Sequence, residues 1–400
     1  MTEYQDVLLR LLSKALFDRT VDVPETDWAK LAREAEMQTV SQLAYSALDE
    51  KRLPSELAAR WKERVLSGVA NNVRVAYDHA LLHEWMSEAG IPYAVLKGCA
   101  SAAYYPDPLY RSMGDVDFLV PEDALEAAGR VMERQGLTPW EEEHISHIVY
   151  RRQGAYFEMH FRVAGLPNGA AGERIREYMA DVFEKATVQP IENGRASLPA
   201  PFHHGLVLLL HTCHHLTGEG VGLRHLCDWG VFENRFSDAE FRALFEEKLK
   251  AVGLWRFAQV LTLACVKYLG APKREWAEAA EGETVDGLMA DILAGGNFGR
   301  KDGTRQTQTL LISDRGKNGV GKTGMTAQFT ESINSFICQK WPAARKNKLL
   351  LPAGWLYFGG RRLIREVTAK KKTDVKRLVN TAAERRDLYR KLHIYEREDG

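Results

Sequence analysis

Asp115 and Asp117 stand one residue apart in the run Asp115-Val116-Asp117-Phe118-Leu119-Val120. On a strand, alternate side chains share a face, so the two carboxylates point together with Leu119 while Val116, Phe118 and Val120 turn the other way. Two like charges about 4 Å apart repel by about 4 kcal/mol at an effective dielectric near 20. A cation between them removes that cost, and Mg2+, which prefers carboxylate and phosphate oxygens, is the expected ion. A third acid, Glu158, lies mid-strand in residues 155–163, on the polar face with Tyr156, His160 and Arg162 and opposite Phe157, Met159, Phe161 and Val163. If the two strands are neighbours, three carboxylates converge, a set suited to a two-metal site. Lys97-Gly98 ends a short strand and turns directly into a helix. Glycine there admits a phosphate to the backbone, the helix N-terminus offers N–H groups, and Lys97 adds charge. Arg111, four residues before the first acid, is either a phosphate contact or a brace for its loop.

These residues need elements to hold them. Residues 4–90 repeat apolar positions at helical spacing, as in Val7-Leu8-Leu11-Leu12 and Leu43-Ala44-Ala47-Leu48, until Gly90-Ile91-Pro92 ends the pattern. A buried strand at Tyr93–Leu96, a small-residue helix from Cys99 to Tyr104 and the Asp115 strand follow. Pro121–Gln135 reads as a helix opened by proline and two acids. Strands at 147–152 and 155–163 turn at Gly154, and a hairpin at 186–198 turns at Asn193-Gly194. Residues 202–293 are again helical, 295–325 read as a long Gly/Lys-rich loop, and a charged helix spans about 374–393. The expected class is α+β, with a small mixed-sheet core between helical regions. The expected divisions are 1–88 helical, 89–200 core, 201–294 helical, 295–325 loop and 326–400 basic and helical.

Val95-Leu96-Lys97-Gly98, Arg111 to Val120 with its Gly114-Asp115-Val116-Asp117, and Phe157-Glu158-Met159-His160 together resemble an uncharacterised bacterial nucleotidyltransferase family of the DNA polymerase β-like superfamily. The motifs cover about 75 residues, and Arg224-His225-Leu226-Cys227-Asp228 in the helical flank is similar to that family too. The resemblance implies that Asp115, Asp117 and Glu158 hold magnesium and that the Gly98 turn meets a nucleoside triphosphate such as ATP. It also implies in-line attack of an acceptor hydroxyl on the α-phosphate, with release of pyrophosphate. The acceptor is open among small molecules, sugars, RNA and protein. A nucleotide-binding or partner-binding scaffold without catalysis is the alternative on the same fold.

Other signals weigh less. His211-x-x-His214-His215 puts His211 and His215 one helical turn apart, but without HExxH and on an apolar helix they read as histidines bordering a cleft, not as a zinc site. His160, His211, His215, Arg224 and Asp228 are candidate substrate contacts, and Arg224 and Asp228, four apart, are spaced for an intrahelical ion pair. Gly316 to Thr323 matches GxxxxGK[ST] after the strand-like Leu310-Leu311-Ile312. No later apolar run ends in the aspartate that a P-loop NTPase needs for magnesium, so a chance match is the better reading.

The 400 residues carry 54 Lys and Arg against 54 Asp and Glu, so no global field recruits nucleic acid or membrane. The basic excess is local, with 17 Lys and Arg against 7 Asp and Glu from Lys340 to Gly400. That stretch reads as a solvated helix face, with an anionic acceptor or RNA as the sharper alternative. Cys99, Cys213, Cys227, Cys265 and Cys338 show no CxxC spacing, which points to a reducing cytoplasm. The amphipathic, acidic N-terminus is unlike a signal peptide, and no apolar run nears the roughly 18 residues that span a bilayer.

Overall fold

The computed structural model describes residues 1–140, 146–167, 169–305, 308–309, 334, 337–338, 341, 343–344, 347–358 and 375–396. The chain divides into two compact units, one of Met1–Leu216, Gly220–Lys301 and Leu392–Gly400, the other of Thr217–Glu219 and Asp302–Lys391.

The first unit is mixed α+β. It opens with helices α1 (Glu3–Phe17), α2 (Trp28–Met37), α3 (Ser41–Ser46) and the long α4 (Ser55–Glu88). At the start of α1 the Thr2 N–H donates to Gln5 Oε1 at 2.9 Å, half of a capping box. The last turns of α4 bury Val75, His79, Leu82, Trp85 and Met86 before Gly90 takes a positive φ and ends the run. Strands β1 (Ala94–Val95), β2 (Val116–Leu119), β3 (Thr138–Pro139), β4 (His147–Arg152) and β5 (Ala155–His160) form one sheet in the order β1-β2-β5-β4-β3. Only β2 and β5 run parallel. Val95, Val116, Phe118, Phe157 and Met159 pack one face of the sheet on Leu82, Trp85 and Met86 of α4 and on Ala128, Val131 and Met132 of α6 (Leu125–Arg134). The apolar half of each alternation thus builds the core, and the opposite face keeps the acids.

Between β1 and β2 lie α5 (Cys99–Ala102) and a 3-10 turn at Pro108–Tyr110. After β5 come α7 (Ala170–Met179), α8 (Val182–Lys185) and the hairpin β6–β7 (Thr187–Ile191, Gly194–Leu198). Helices α9 (Pro201–Thr217), α10 (Leu223–Glu233), α11 (Asp238–Ala251), α12 (Trp255–Leu269) and α13 (Gly282–Gly295) follow.

Several element bounds depart from the sequence reading. The strand begins at Val116, and Asp115 occupies the bend before it. The helix after Gly98 stops at Ala102, one turn long. The proline-led helix starts as a 3-10 turn, Glu122–Ala124, before α6. Strand β5 ends at His160 because its neighbours run out there: β2 finishes at Leu119 and β4 opens at His147, the residues paired with His160. Within the expected 295–325 loop, Asn297–Gly299 form a 3-10 turn whose Phe298 lies against His215 at 4.6 Å between ring centroids.

In the second unit, α14 (Val375–Lys391) buries Arg385, which donates to Gln308 Oε1 at 2.9 Å and to the Gly218 carbonyl at 3.2 Å. One arginine of the basic stretch is therefore interior rather than solvated. Leu310–Ile312 and the Gly316–Thr323 string lie outside the described residues. The five cysteines are free, and among the described residues no helix is long and apolar enough to cross a membrane.

Candidate active site

Strand register assembles the acids. Asp117 on β2 faces Glu158 on β5 directly, and Leu119 faces His160. Asp115 arrives from the bend, so that one oxygen from each of Asp115, Asp117 and Glu158 lies within 4.8 Å of the others. The sheet thereby brings Asp117 and Glu158 together as the alternating patterns called for, while Asp115 joins them from outside the strand.

The three carboxylates are unequal. Asp117 is almost wholly buried; burial alone would favour its neutral form, but Lys97 Nζ at 2.9 Å and His160 Nε2 at 3.2 Å hold it ionised, well below the usual carboxylate range. Asp115 carries the cost of that charge. The Asp117 carboxylate, with burial, pushes Asp115 up to about 7, against the pull of Lys97. Glu158 keeps its side chain 27 % exposed, 3.6 Å from His160 Nε2. Burial opposes the charge on Lys97 and His160, yet the acids beside them raise both above their ordinary values. Two cationic side chains against three acids leave a centre that still suits a dication.

Gly98 has φ +59° and ψ −119°, a backbone that favours glycine, and a Cβ there would sit 2.6 Å from His79 Nε2. His79, from α4, is fully buried, has no hydrogen-bond partner on either ring nitrogen among the described residues, and is pushed down to about 4 by burial. The glycine turn thus rests on a neutral imidazole.

Arg111 is turned to Asp228 on α10. Its Nε donates to Oδ1 at 2.7 Å and its Nη2 to Oδ2 at 2.8 Å, while Tyr105 Oη donates to Oδ1 at 2.6 Å. All three are buried. Burial works against both charges, but each partner outweighs it, holding Asp228 below and Arg111 above its usual range. This corrects the intrahelical pair expected of Arg224 and Asp228, because the aspartate is committed across the fold. Arg224 instead donates to the Ser112 carbonyl at 3.4 Å and lies over the Phe298 ring, 5.7 Å from its centroid. Burial and then Arg111 depress its basicity.

A cleft of about 250 Å³ runs along these groups, lined among others by Lys97, Gly98, Asp115, Asp117, Arg224 and Arg300. Both carboxylates and guanidinium groups are therefore among its lining. His211 and His225 also line it, and their rings stack 5.3 Å apart with His215 beside them. Burial holds these three histidines neutral. Among the described residues they form no group of three donors within metal reach. His160 is 3 % exposed and tied to Asp117, so it is placed to hold the acid rather than to meet a substrate.

Sequence reasoning did not single out His79, His147, Phe298 or Arg300. Only His147 left a usable signal. In a two-residue hairpin at Gln153-Gly154, counting outwards pairs His147 with His160, as the structure has it.

Residues 24–270 match the family described as "Uncharacterised nucleotidyltransferase". The comparison with curated proteins finds no match. The matched span includes the glycine turn, the three acids and the Arg111–Asp228 pair, while Phe298 and Arg300 fall beyond it.

Proposed function

The chain belongs to this nucleotidyltransferase family, and from that premise we propose that it moves a nucleoside monophosphate from an NTP to a hydroxyl acceptor, releasing pyrophosphate with magnesium as the metal. The observation that carries this reading is the register match of Asp117 with Glu158, with Asp115 beside them and Lys97, Arg224 and Arg300 lining the same cleft. On this reading the five-stranded sheet is a polymerase β-like core within residues 89–200, flanked by helical regions 1–88 and 201–294.

Asp115, Asp117 and Glu158 would hold the metal, and their chemistry fits one: hard oxygen donors with a surplus of negative charge. A bound dication supplies Lewis acidity and shields phosphate charge there. Gly98 lets the phosphate chain approach the backbone, and Lys97 offsets charge beside it. Arg111 braces the loop through Asp228, so the phosphate contact expected of it passes to Arg224 and Arg300. Glu158, with its side chain 27 % exposed, takes the proton from the acceptor hydroxyl as it attacks the α-phosphorus. The α–β phosphoanhydride bond breaks, and its electron pair leaves with pyrophosphate. The cleft is small for a whole nucleotide, so it holds the phosphates while base and acceptor extend from it.

The test incubates the full chain with each α-labelled NTP, magnesium and a bacterial extract, beside an Asp115→Asn/Asp117→Asn variant. Label on a product with the wild type alone supports nucleotidyl transfer and selects the base. Equal label in both removes the acids from the chemistry. Nucleotide binding without any labelled product favours the scaffold.

A further inference from the structure

We propose that a second metal position lies next to the acidic one, built by His147, Glu158 and His160 and suited to a first-row transition dication rather than to Mg2+. The proposal rests on reading Asp115, Asp117 and Glu158 as a metal centre, since Glu158 would serve both positions.

Three neighbouring strands carry the argument. The two-residue turn at Gln153-Gly154, both residues at positive φ, sets the register of β4 against β5 and places His147 opposite His160. Opposed residues of an antiparallel pair point to the same face, and β2 adds Asp117 beside Glu158 on that face. Asp117, Glu158, His160 and His147 therefore follow one another across the polar side of the sheet. One donor atom from each of His147, Glu158 and His160 lies within 4.8 Å of the others. Donors around one ion sit about 3–4 Å apart, so only a small closing of this set would bring it to ligand spacing.

The two imidazole rings lie 4.8 Å apart, tilted by 38° to each other. His160 is nearly fully buried; its Nε2 lies 3.2 Å from Asp117 and 3.6 Å from Glu158, and its Nδ1 has no hydrogen-bond partner among the described residues, a cost that a bound ion would remove. Ser146 Oγ, 3.3 Å from His147 Nδ1, orients the second ring.

Donor chemistry decides the ion class. Mg2+ takes oxygen ligands and keeps its waters, whereas imidazole favours Zn2+, Fe2+ and Co2+. Two imidazoles and one carboxylate leave coordination positions open for water or a phosphate oxygen. The neighbouring acidic group, all oxygen, retains the preference for Mg2+. The pair of positions is thus chemically asymmetric.

The experiment titrates the chelator-treated full chain with Co2+ alone, following the visible d–d band and the heat of binding, and then adds excess Mg2+. The expected result is an imidazole-type Co2+ band that survives Mg2+ and is retained by Asp115→Asn. His147→Ala and the size-matched His147→Gln should both lose the band and bind Co2+ at least about tenfold more weakly. The wild-type Mg2+ competition needs no variant, so a folding defect cannot imitate the result. Displacement of the wild-type band by Mg2+, or equal Co2+ binding with and without His147, overturns the proposal. Label transfer from an α-labelled NTP is read separately. Transfer without the band sinks the histidine position alone, and the band without transfer sinks the transferase reading alone.

Discussion

Gly98 is the residue at which backbone and site chemistry meet. Its φ of +59° disfavours any side chain, and a Cβ would press on the buried His79 ring at 2.6 Å. Gly98→Ala should cost about 2–4 kcal/mol in urea unfolding, since strain and overpacking combine. His79→Ala in the same chain should recover only part of it, because the backbone strain remains. Full recovery would assign the whole cost to the contact. Arg111 and Asp228 lend themselves to the same treatment. A buried ion pair broken from one side leaves an unanswered charge, so Arg111→Met should destabilise by about 3–5 kcal/mol. Asp228→Leu in the same chain should recover most of that loss, a coupling that a double-mutant cycle reads directly. If Arg111 were held only as a phosphate ligand, the single change would leave stability near wild type.

At the scale of elements, the hairpin β4–β5 decides which side chains meet. Its turn places Gln153 at φ +42° and Gly154 at φ +83°, and among the described residues nothing lies within 4 Å of a Cβ built on Gly154. Gly154→Val should therefore cost only about 1–2 kcal/mol, backbone strain without a clash, and thermal unfolding should rank it milder than Gly98→Ala. Both strands, their turn and the opposing faces of β5 were legible in the sequence, because alternation and a glycine turn are local signals. Pairing of β2 with β5 was not local. It was posed as a condition, and the structure meets it with Asp117 opposite Glu158. The short β3 carried no pattern, since two residues, one of them Pro139, cannot alternate visibly. Helix bounds were blurred where capping, not periodicity, sets them, as at Glu122–Ala124. The partner of Arg111 was hidden for another reason: Asp228 lies 117 residues away on α10, where i,i+4 spacing pointed to Arg224 instead.

Across the whole molecule, buried imidazoles couple stability to pH. Burial depresses His79 to about 4 and His204 to about 3, both from an ordinary 6.5. Each is neutral in the fold and takes a proton in the unfolded chain once the pH drops below 6.5. The unfolded state then binds more protons, so stability falls as the pH goes from 6.5 towards 4. His79, fully buried, accounts for about 3 kcal/mol of that fall by itself. Urea midpoints measured across this range should decline steeply in the wild type and less steeply in His79→Leu. A flat wild-type profile would mean that these rings protonate inside the fold. Global net charge of zero left the cleft invisible at this scale, because opposite charges that face each other cancel in any sum over the chain. What could be read was the local spacing of the acids and the Lys97-Gly98 turn. Arg300 could not, because nothing in its surrounding glycines and lysines distinguishes a cleft residue from a loop residue.

If these acids direct chemistry to the α-phosphorus of an NTP, the position of the label reveals it. The full chain, magnesium and the extract would be incubated with one NTP carrying the label at the α-phosphate and, separately, at the γ-phosphate. The expected result is α-label on the acceptor, γ-label released as pyrophosphate, and neither with Asp117→Asn. Label from the γ-phosphate on the acceptor, or inorganic phosphate as the released product, would contradict it.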